Sequence, residues 1–133
     1  MDPDNLRSVY LFADMTDDDL RRIAAFASED SAPAGATLVR EGDFSNDMVA
    51  IESGTADVIR GDRTVGSLGP GDVFGEMGVL GGETRSATIV SSSPMRLIRL
   101  TSWDVKRLPK DVRERMGLVA EQRRQREHDA AGG

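Results

Sequence analysis

The sequence predicts a mainly β domain with flanking helices: an antiparallel, jelly-roll-like β-roll with N-terminal helices before it and a C-terminal helix pair after it. Three observations carry that reading. Between residues 33 and 100, short β-prone runs alternate with turn residues at close intervals, the texture of a sandwich or barrel. Before them, Thr16 followed by Asp17, Asp18 and Asp19 marks a helix start. After Leu100 the apolar residues return to helical spacing. A chain of 133 residues is expected to form one domain, large enough to bury a real core but not two. The expected organisation is a helical segment over 1–32, a roll over 33–100 and C-terminal helices over 101–128.

Each element has a local cause. The Thr16 hydroxyl and Asp19 make a capping box, with Met15 and Leu20 at hydrophobic-staple spacing. Leu20, Ile23, Ala24 and Ala27 then mark one helical face, and a shorter helix is expected over 5–11. Strands are expected over 37–40, 48–52, 56–60, 64–68, 85–91 and 95–100. Gly61-Asp62 is a natural hairpin turn. Gly69-Pro70-Gly71-Asp72 suits a type II turn, with Pro setting φ at the second position and Gly supplying φ > 0 at the third. Thr101 or Ser102 caps a short helix through Leu108, which Pro109 breaks before a second one opens. Val112, Met116 and Val119 give that last helix a narrow apolar stripe that stops at Ala120. Beyond it, EQRRQREHD is polar all round and is expected to fray.

Composition excludes several classes. The hydrophobic fraction of 38% includes only one Trp and one Tyr, so the core is mostly aliphatic. No run approaches the roughly 18 apolar residues of a membrane span, and the acidic start MDPDNLRS reads as neither a signal nor a transit peptide. The absence of cysteine removes disulfides and thiolate metal sites and fits a reducing cytoplasm. A net charge of −6 argues against nucleic acid as the main partner. From Asp104 onward there are eight basic and six acidic residues, against nine basic and seventeen acidic before it. So mixed a run favours a solvated helix face over a nucleic-acid arm.

The stretch FGEMGVLGGETRSA, residues 74–87, behaves least like ordinary packing, with four glycines, two carboxylates and a single arginine. Glycines let backbone N–H groups approach an anion, and a short helix starting near Glu76 would aim its positive end at the same place. The stretch is not a Walker loop, since no Gly-Lys-Ser/Thr follows, nor does it carry a dinucleotide fingerprint.

Gly71-Asp72-Val73-Phe74-Gly75-Glu76, then Leu80, then Arg85-Ser86-Ala87-Thr88 resembles the phosphate-binding cassette of cyclic-nucleotide-binding domains. These are the sensor domains of catabolite-activator-type regulators, cyclic-nucleotide-dependent kinases and cyclic-nucleotide-gated channels. Arg40-Glu41-Gly42-Asp43 and the strand to Ser53-Gly54 resemble the family's lead-in, and the likeness runs over about residues 5–120. The resemblance implies a ligand site within 71–88 made of Phe74, Gly75, Glu76, Met77, Arg85, Ser86, Ala87 and Thr88. Arg85 would neutralise the cyclic phosphate, Ser86 Oγ and the N–H groups of Ser86 and Ala87 would complete its cradle, and Glu76 would accept from the ribose 2′-OH. Thr84 departs from the Pro that many members carry, and the cassette is unusually rich in glycine. Ser86 leaves both cAMP and cGMP open as the ligand, with Arg-Ser-Ala leaning towards cAMP.

Val49, Ile59, Val65, Val73 and Leu80 are candidates to line the pocket, or are plain core. Met116 and Val119 are candidates for a lid over the base, though core packing explains them equally well, and Arg123 is a candidate to stack on it. The residues give catalysis little support, since no Ser/His/Asp set is possible in the roll without a histidine there, and the chain reads as a non-enzyme. His128, the only histidine, lies in the polar tail, which speaks against a cupin-type metal enzyme. An interaction module that no longer binds nucleotide is the other alternative. Only 13 residues follow Ala120, so output is expected through a protein partner, through self-association, or not at all. The apolar stripe of the last helix is too short for a coiled coil, which points to a monomer or weak homodimer.

Overall fold

The chain opens on backbone hydrogen bonds that stop a helix as soon as it starts. In the computed structural model, which describes residues 2–43, 47–75 and 87–132 without the side chains of 120 and 123–132, two 3-10 turns replace the single helix expected over 5–11. Pro3 opens the first turn, Pro3–Leu6, and Asp2 accepts from the Asp4 N–H. The second, Tyr10–Phe12, begins where the Tyr10 N–H donates across the molecule to the Gly71 carbonyl (3.1 Å), an acceptor outside the segment that a continuous helix would not use. Helix α1 (Asp17–Phe26) starts as its cap dictates: the Asp19 N–H donates to Thr16 Oγ1 at 3.1 Å. Met15 and Leu20 are both buried in one cluster, as the staple requires.

Eight antiparallel strands follow among the described residues: β1 (Ser28–Ala32), β2 (Thr37–Val39), β3 (Asp47–Ser53), β4 (Ala56–Arg60), β5 (Arg63–Leu68), β6 (Val73–Phe74), β7 (Thr88–Ser91) and β8 (Met95–Thr101). They form two four-stranded sheets, ordered β1-β8-β3-β6 and β2-β7-β4-β5. The Gly61-Asp62 hairpin closes with Arg60 opposite Arg63. Two strands were not expected. β1 reads Ser-Glu-Asp-Ser-Ala with no apolar alternation, so the roll begins at Ser28 rather than at 33. Cross-strand charge holds it beside β8: Arg99 donates to Asp30 at 3.3 Å and Arg96 to Glu29 at 3.4 Å. β6 is only two residues long, too short to show a period.

β3 and β8 bury both of their faces. Val49, Ile51, Met95 and Leu97 face the second sheet and pack with Ala56, Phe74 and Ile89. Met48, Ala50, Ile98 and Leu100 face the other way, into a larger core with Leu6, Val9, Phe12, Leu20 and Ile23. Thr101 caps α2 (Ser102–Lys106), which ends two residues short of the expected Leu108. Helix α3 (Lys110–Gly132) follows Pro109 and continues through the polar tail expected to fray. Val112 and Met116 lie in the larger core, with Val119 partly buried against it.

The turn Gly69-Pro70-Gly71-Asp72 is type II: the Asp72 N–H donates to the Gly69 carbonyl (3.1 Å) and Gly71 has φ +91°. A side chain at Gly71 would also bring its Cβ within 2.6 Å of the Ser8 carbonyl oxygen. Backbone conformation and close approach thus both demand glycine there.

An ion pair docks α3 on α1. Arg115 donates to Asp19 Oδ2 at 2.8 Å, and the Asp19 side chain is only 11% exposed. Burial alone would raise the Asp19 carboxyl, but the Arg115 guanidinium and the Thr16 hydroxyl and N–H outweigh it and hold it below its ordinary value. A carboxyl depressed on folding stabilises above its unfolded value, about 3.9, and loses that contribution as pH falls through the lower folded value. Asp19→Asn should therefore lower stability by about 0.5–1 kcal/mol at pH 7. The difference from wild type should shrink as pH falls from about 3.9 through the lower folded value, measured as urea midpoints across pH. A gap of constant size over that range would mean the ion pair contributes nothing.

Candidate functional site

The cassette is framed by two different sheets. On its leading side, the Gly71 N–H donates to the Ile51 carbonyl (2.8 Å) and the Ile51 N–H to the Asp72 carbonyl (2.9 Å), which fastens the turn to β3. The Gly69 N–H donates to Asp72 Oδ2 at 2.8 Å. β6 then pairs Phe74 with Val49, and the Phe74 ring is buried between the sheets. Gly75 follows with φ +83°. On the trailing side Ala87 is buried, and Thr88 opens β7 in the second sheet, opposite Ile59 of β4. The strand expected over 85–91 thus runs from Thr88 to Ser91.

Of the eight residues expected to form the ligand site, the structure places Phe74, Gly75, Ala87 and Thr88. Phe74 anchors the cassette in the inter-sheet core. The Thr88 hydroxyl is engaged by the protein itself, accepting from the Glu41 N–H at 3.0 Å. Glu76, Met77, Leu80, Arg85 and Ser86, with the helix expected near Glu76, lie outside the described residues.

The candidate pocket-lining residues separate. Val49 lies inside the roll, and Ile59 is half-buried. Val73 points into the helical core with Leu6 and Val9, so it is core rather than lining. Val65 is 53% exposed at a bulge: Val58 pairs with Gly66 and Ile59 with Thr64, which leaves Val65 as the extra residue. Bulges re-aim side chains beside binding sites, so Val65 keeps its candidacy.

Met116 is fully buried among the N-terminal helical residues, and Val119 packs on the same cluster. A closing lid would first have to leave that core. The Arg123 side chain lies outside the described residues. Two surface depressions, one around Asp4, Arg7 and Asp17 and one around Leu11, Met15 and Leu118, lie on the helical face and include no described cassette residue.

On the inner face of the roll, one cation is already committed. Arg99 shares the face of Val49 and Leu97 and is paired with both Asp47 and Asp30. Burial would lower its pKa, but the two carboxylates outweigh this and raise it. Among the described residues no cluster of three His, Cys, Asp or Glu is placed to hold a metal ion. No helix there is long and apolar enough to cross a membrane.

The described fold is thus a β-roll with helices at both ends, a glycine turn into the cassette and a trailing flank in the opposite sheet. Residues 29–111 match the family model described as cyclic nucleotide-binding domain. The chain belongs to that family. A cAMP-dependent protein kinase regulatory subunit of Colletotrichum orbiculare is 33% identical over 107 residues, covering 79% of this chain and 27% of that protein. A cGMP-dependent protein kinase of Caenorhabditis briggsae is 34% identical over 95 residues, covering 67% of this chain and 13% of that protein. Among solved structures, the regulatory domain of Toxoplasma gondii PKA with cAMP superposes with a TM-score of 0.76 at 29% identity, covering 84% of this chain and 44% of that one. The chain thus spans about a quarter or less of the length of these two kinase proteins. Cyclic nucleotide-binding domains are sensing and regulatory modules, and the two sheets with their helical ends are the family's β-roll.

Proposed function

We propose that this cyclic nucleotide-binding domain is a non-enzymatic sensor that takes cAMP, and less readily cGMP, into the roll. The observation that carries the proposal is the complete set of anchor residues, Gly75-Glu76 and Arg85-Ser86-Ala87, inside the stretch that matches the family. A cyclic nucleotide carries one negative charge, which a single guanidinium neutralises while donating two hydrogen bonds. Arg85 has that role. Ser86 Oγ and the N–H groups of Ser86 and Ala87 complete the phosphate cradle. Glu76 accepts from the ribose 2′-OH, while Phe74, Gly75, Met77 and Thr88 shape the cassette around it. The cAMP-bound relative at 29% identity and the Arg-Ser-Ala sequence favour cAMP. The signal passes through movement of α3, which carries the lid candidates Met116, Val119 and Arg123, to a protein partner. The domain itself is a monomer or weak homodimer, and its lack of cysteine suits the cytoplasm.

Isothermal titration with cAMP and cGMP tests this, on protein unfolded and refolded to strip any carried-over ligand. Micromolar binding, about −8 kcal/mol, is expected for cAMP, with cGMP weaker. Tighter cGMP would reverse the base assignment. Flat traces from folded protein would make the cassette a relic and the domain a protein-interaction module.

A further inference from the structure

Glu41 makes two hydrogen bonds that join three distant segments. Its N–H donates to Thr88 Oγ1 (3.0 Å), and its Oε1 accepts from the Gly61 N–H (3.0 Å). It therefore ties the turn after β2 both to the first residue of β7 and to the tip of the β4–β5 hairpin. The turn Arg40-Glu41-Gly42-Asp43 is itself closed by the Asp43 N–H on the Arg40 carbonyl (3.2 Å), with Gly42 at φ +88°. That geometry is type II, and it leaves the N–H of the second residue, Glu41, free to bond outside the turn. Pairing of β2 with β7 ends at Val39 opposite Ile89. The Glu41–Thr88 bond carries the attachment further, to the residue beside Ala87.

We infer that Glu41 is a positioning residue for the anion site: it holds the trailing end of the cassette so that the Ala87 N–H stands in place before ligand arrives. The inference rests on the nucleotide reading of the cassette. Neither hydrogen bond is buried, so global stability depends little on them; the side-chain bond to Gly61 fixes the turn that presents the Glu41 N–H to Thr88, next to Ala87. The Glu41 carboxylate acts as an acceptor, so an uncharged side chain with the same oxygen serves equally well.

The test compares wild type, Glu41→Ala, Glu41→Gln and Thr88→Val by titration with cAMP and by amide hydrogen exchange without ligand. Loss of one net hydrogen bond should weaken cAMP binding about three- to tenfold in Glu41→Ala and Thr88→Val. Glu41→Gln should stay within about twofold of wild type, and ligand-free melting of Glu41→Ala should move by less than about 2 °C. Faster exchange at Ala87 should accompany the Ala substitution but not the Gln one. Wild-type affinity in Glu41→Ala, or equal losses in Glu41→Ala and Glu41→Gln, would overturn the inference. A wild type that binds neither nucleotide would sink the nucleotide reading alone. Ala87 exchange would then decide: faster in Glu41→Ala and Thr88→Val but not in Glu41→Gln upholds the positioning role, and equal rates in all variants overturn it.

Discussion

Arg85→Ala should lower cAMP affinity by at least one to two orders of magnitude, the loss of charge-assisted bonds worth about 1.5–3 kcal/mol each. The size follows from the ligand. A phosphodiester with one charge has one counter-charge to find, and the cassette contains one arginine and no lysine. Arg99, a cation on the inner face of the roll, is committed to Asp47 and Asp30 and cannot move to a phosphate without leaving both carboxylates. Arg85→Lys should fall in between, since it keeps the charge and loses the planar fork. If Arg85 were merely half of an exposed ion pair, its removal would cost under about 1 kcal/mol in stability and nothing in binding. Titration of the two variants beside wild type, with circular dichroism to verify the fold, separates these outcomes. Unchanged cAMP affinity in Arg85→Ala would remove the phosphate assignment.

What could be read from the sequence was whatever a few adjacent residues decide. Thr16 and Thr101 cap helices because each places a hydroxyl before a run of helix formers, and both accept the expected N–H bond. The Gly69-Pro70-Gly71-Asp72 turn was legible for the same reason. β1 was not. Its five residues have no apolar period, and their partners, Arg96 and Arg99, lie some seventy positions away. The polar tail misled in the opposite sense: judged by its missing apolar face it should fray, yet Glu, Gln and Arg are good helix formers and α3 continues through them. For the cassette, the residue types indicated an anion, while the assignment of Glu76 and Arg85 came from family resemblance. Glu41 was seen only as part of a lead-in, because its partners Gly61 and Thr88 are 20 and 47 positions off.

The apolar stripe Val112, Met116, Val119 shows why burial is easier to foresee than the partner. Helical spacing announces one buried face without naming what buries it. The sequence left a lid over the base and plain core packing equally open. The structure places Met116 in the core, fully buried with Val112, Leu108 and the N-terminal helical residues. Met116→Ala should cost about 2–4 kcal/mol by lost burial and the cavity left behind. That is a large part of a stability of about 5–15 kcal/mol. Val119→Ala, at a partly buried position, should cost about 1 kcal/mol or less, and Leu118→Ala, 63% exposed, within about 0.5 kcal/mol. Urea unfolding of the three variants reads this order directly. A loss below about 1 kcal/mol for Met116→Ala would mean that α3 leaves the N-terminal core in solution. Nucleotide affinity, measured on the folded fraction at low temperature, then separates the two roles of the stripe. If Met116 serves only the core, Met116→Ala loses stability and keeps its affinity for cAMP. If α3 exchanges its docked position for one over the base, the same substitution weakens the docked state as well, and affinity rises or falls with the difference between the two sets of contacts.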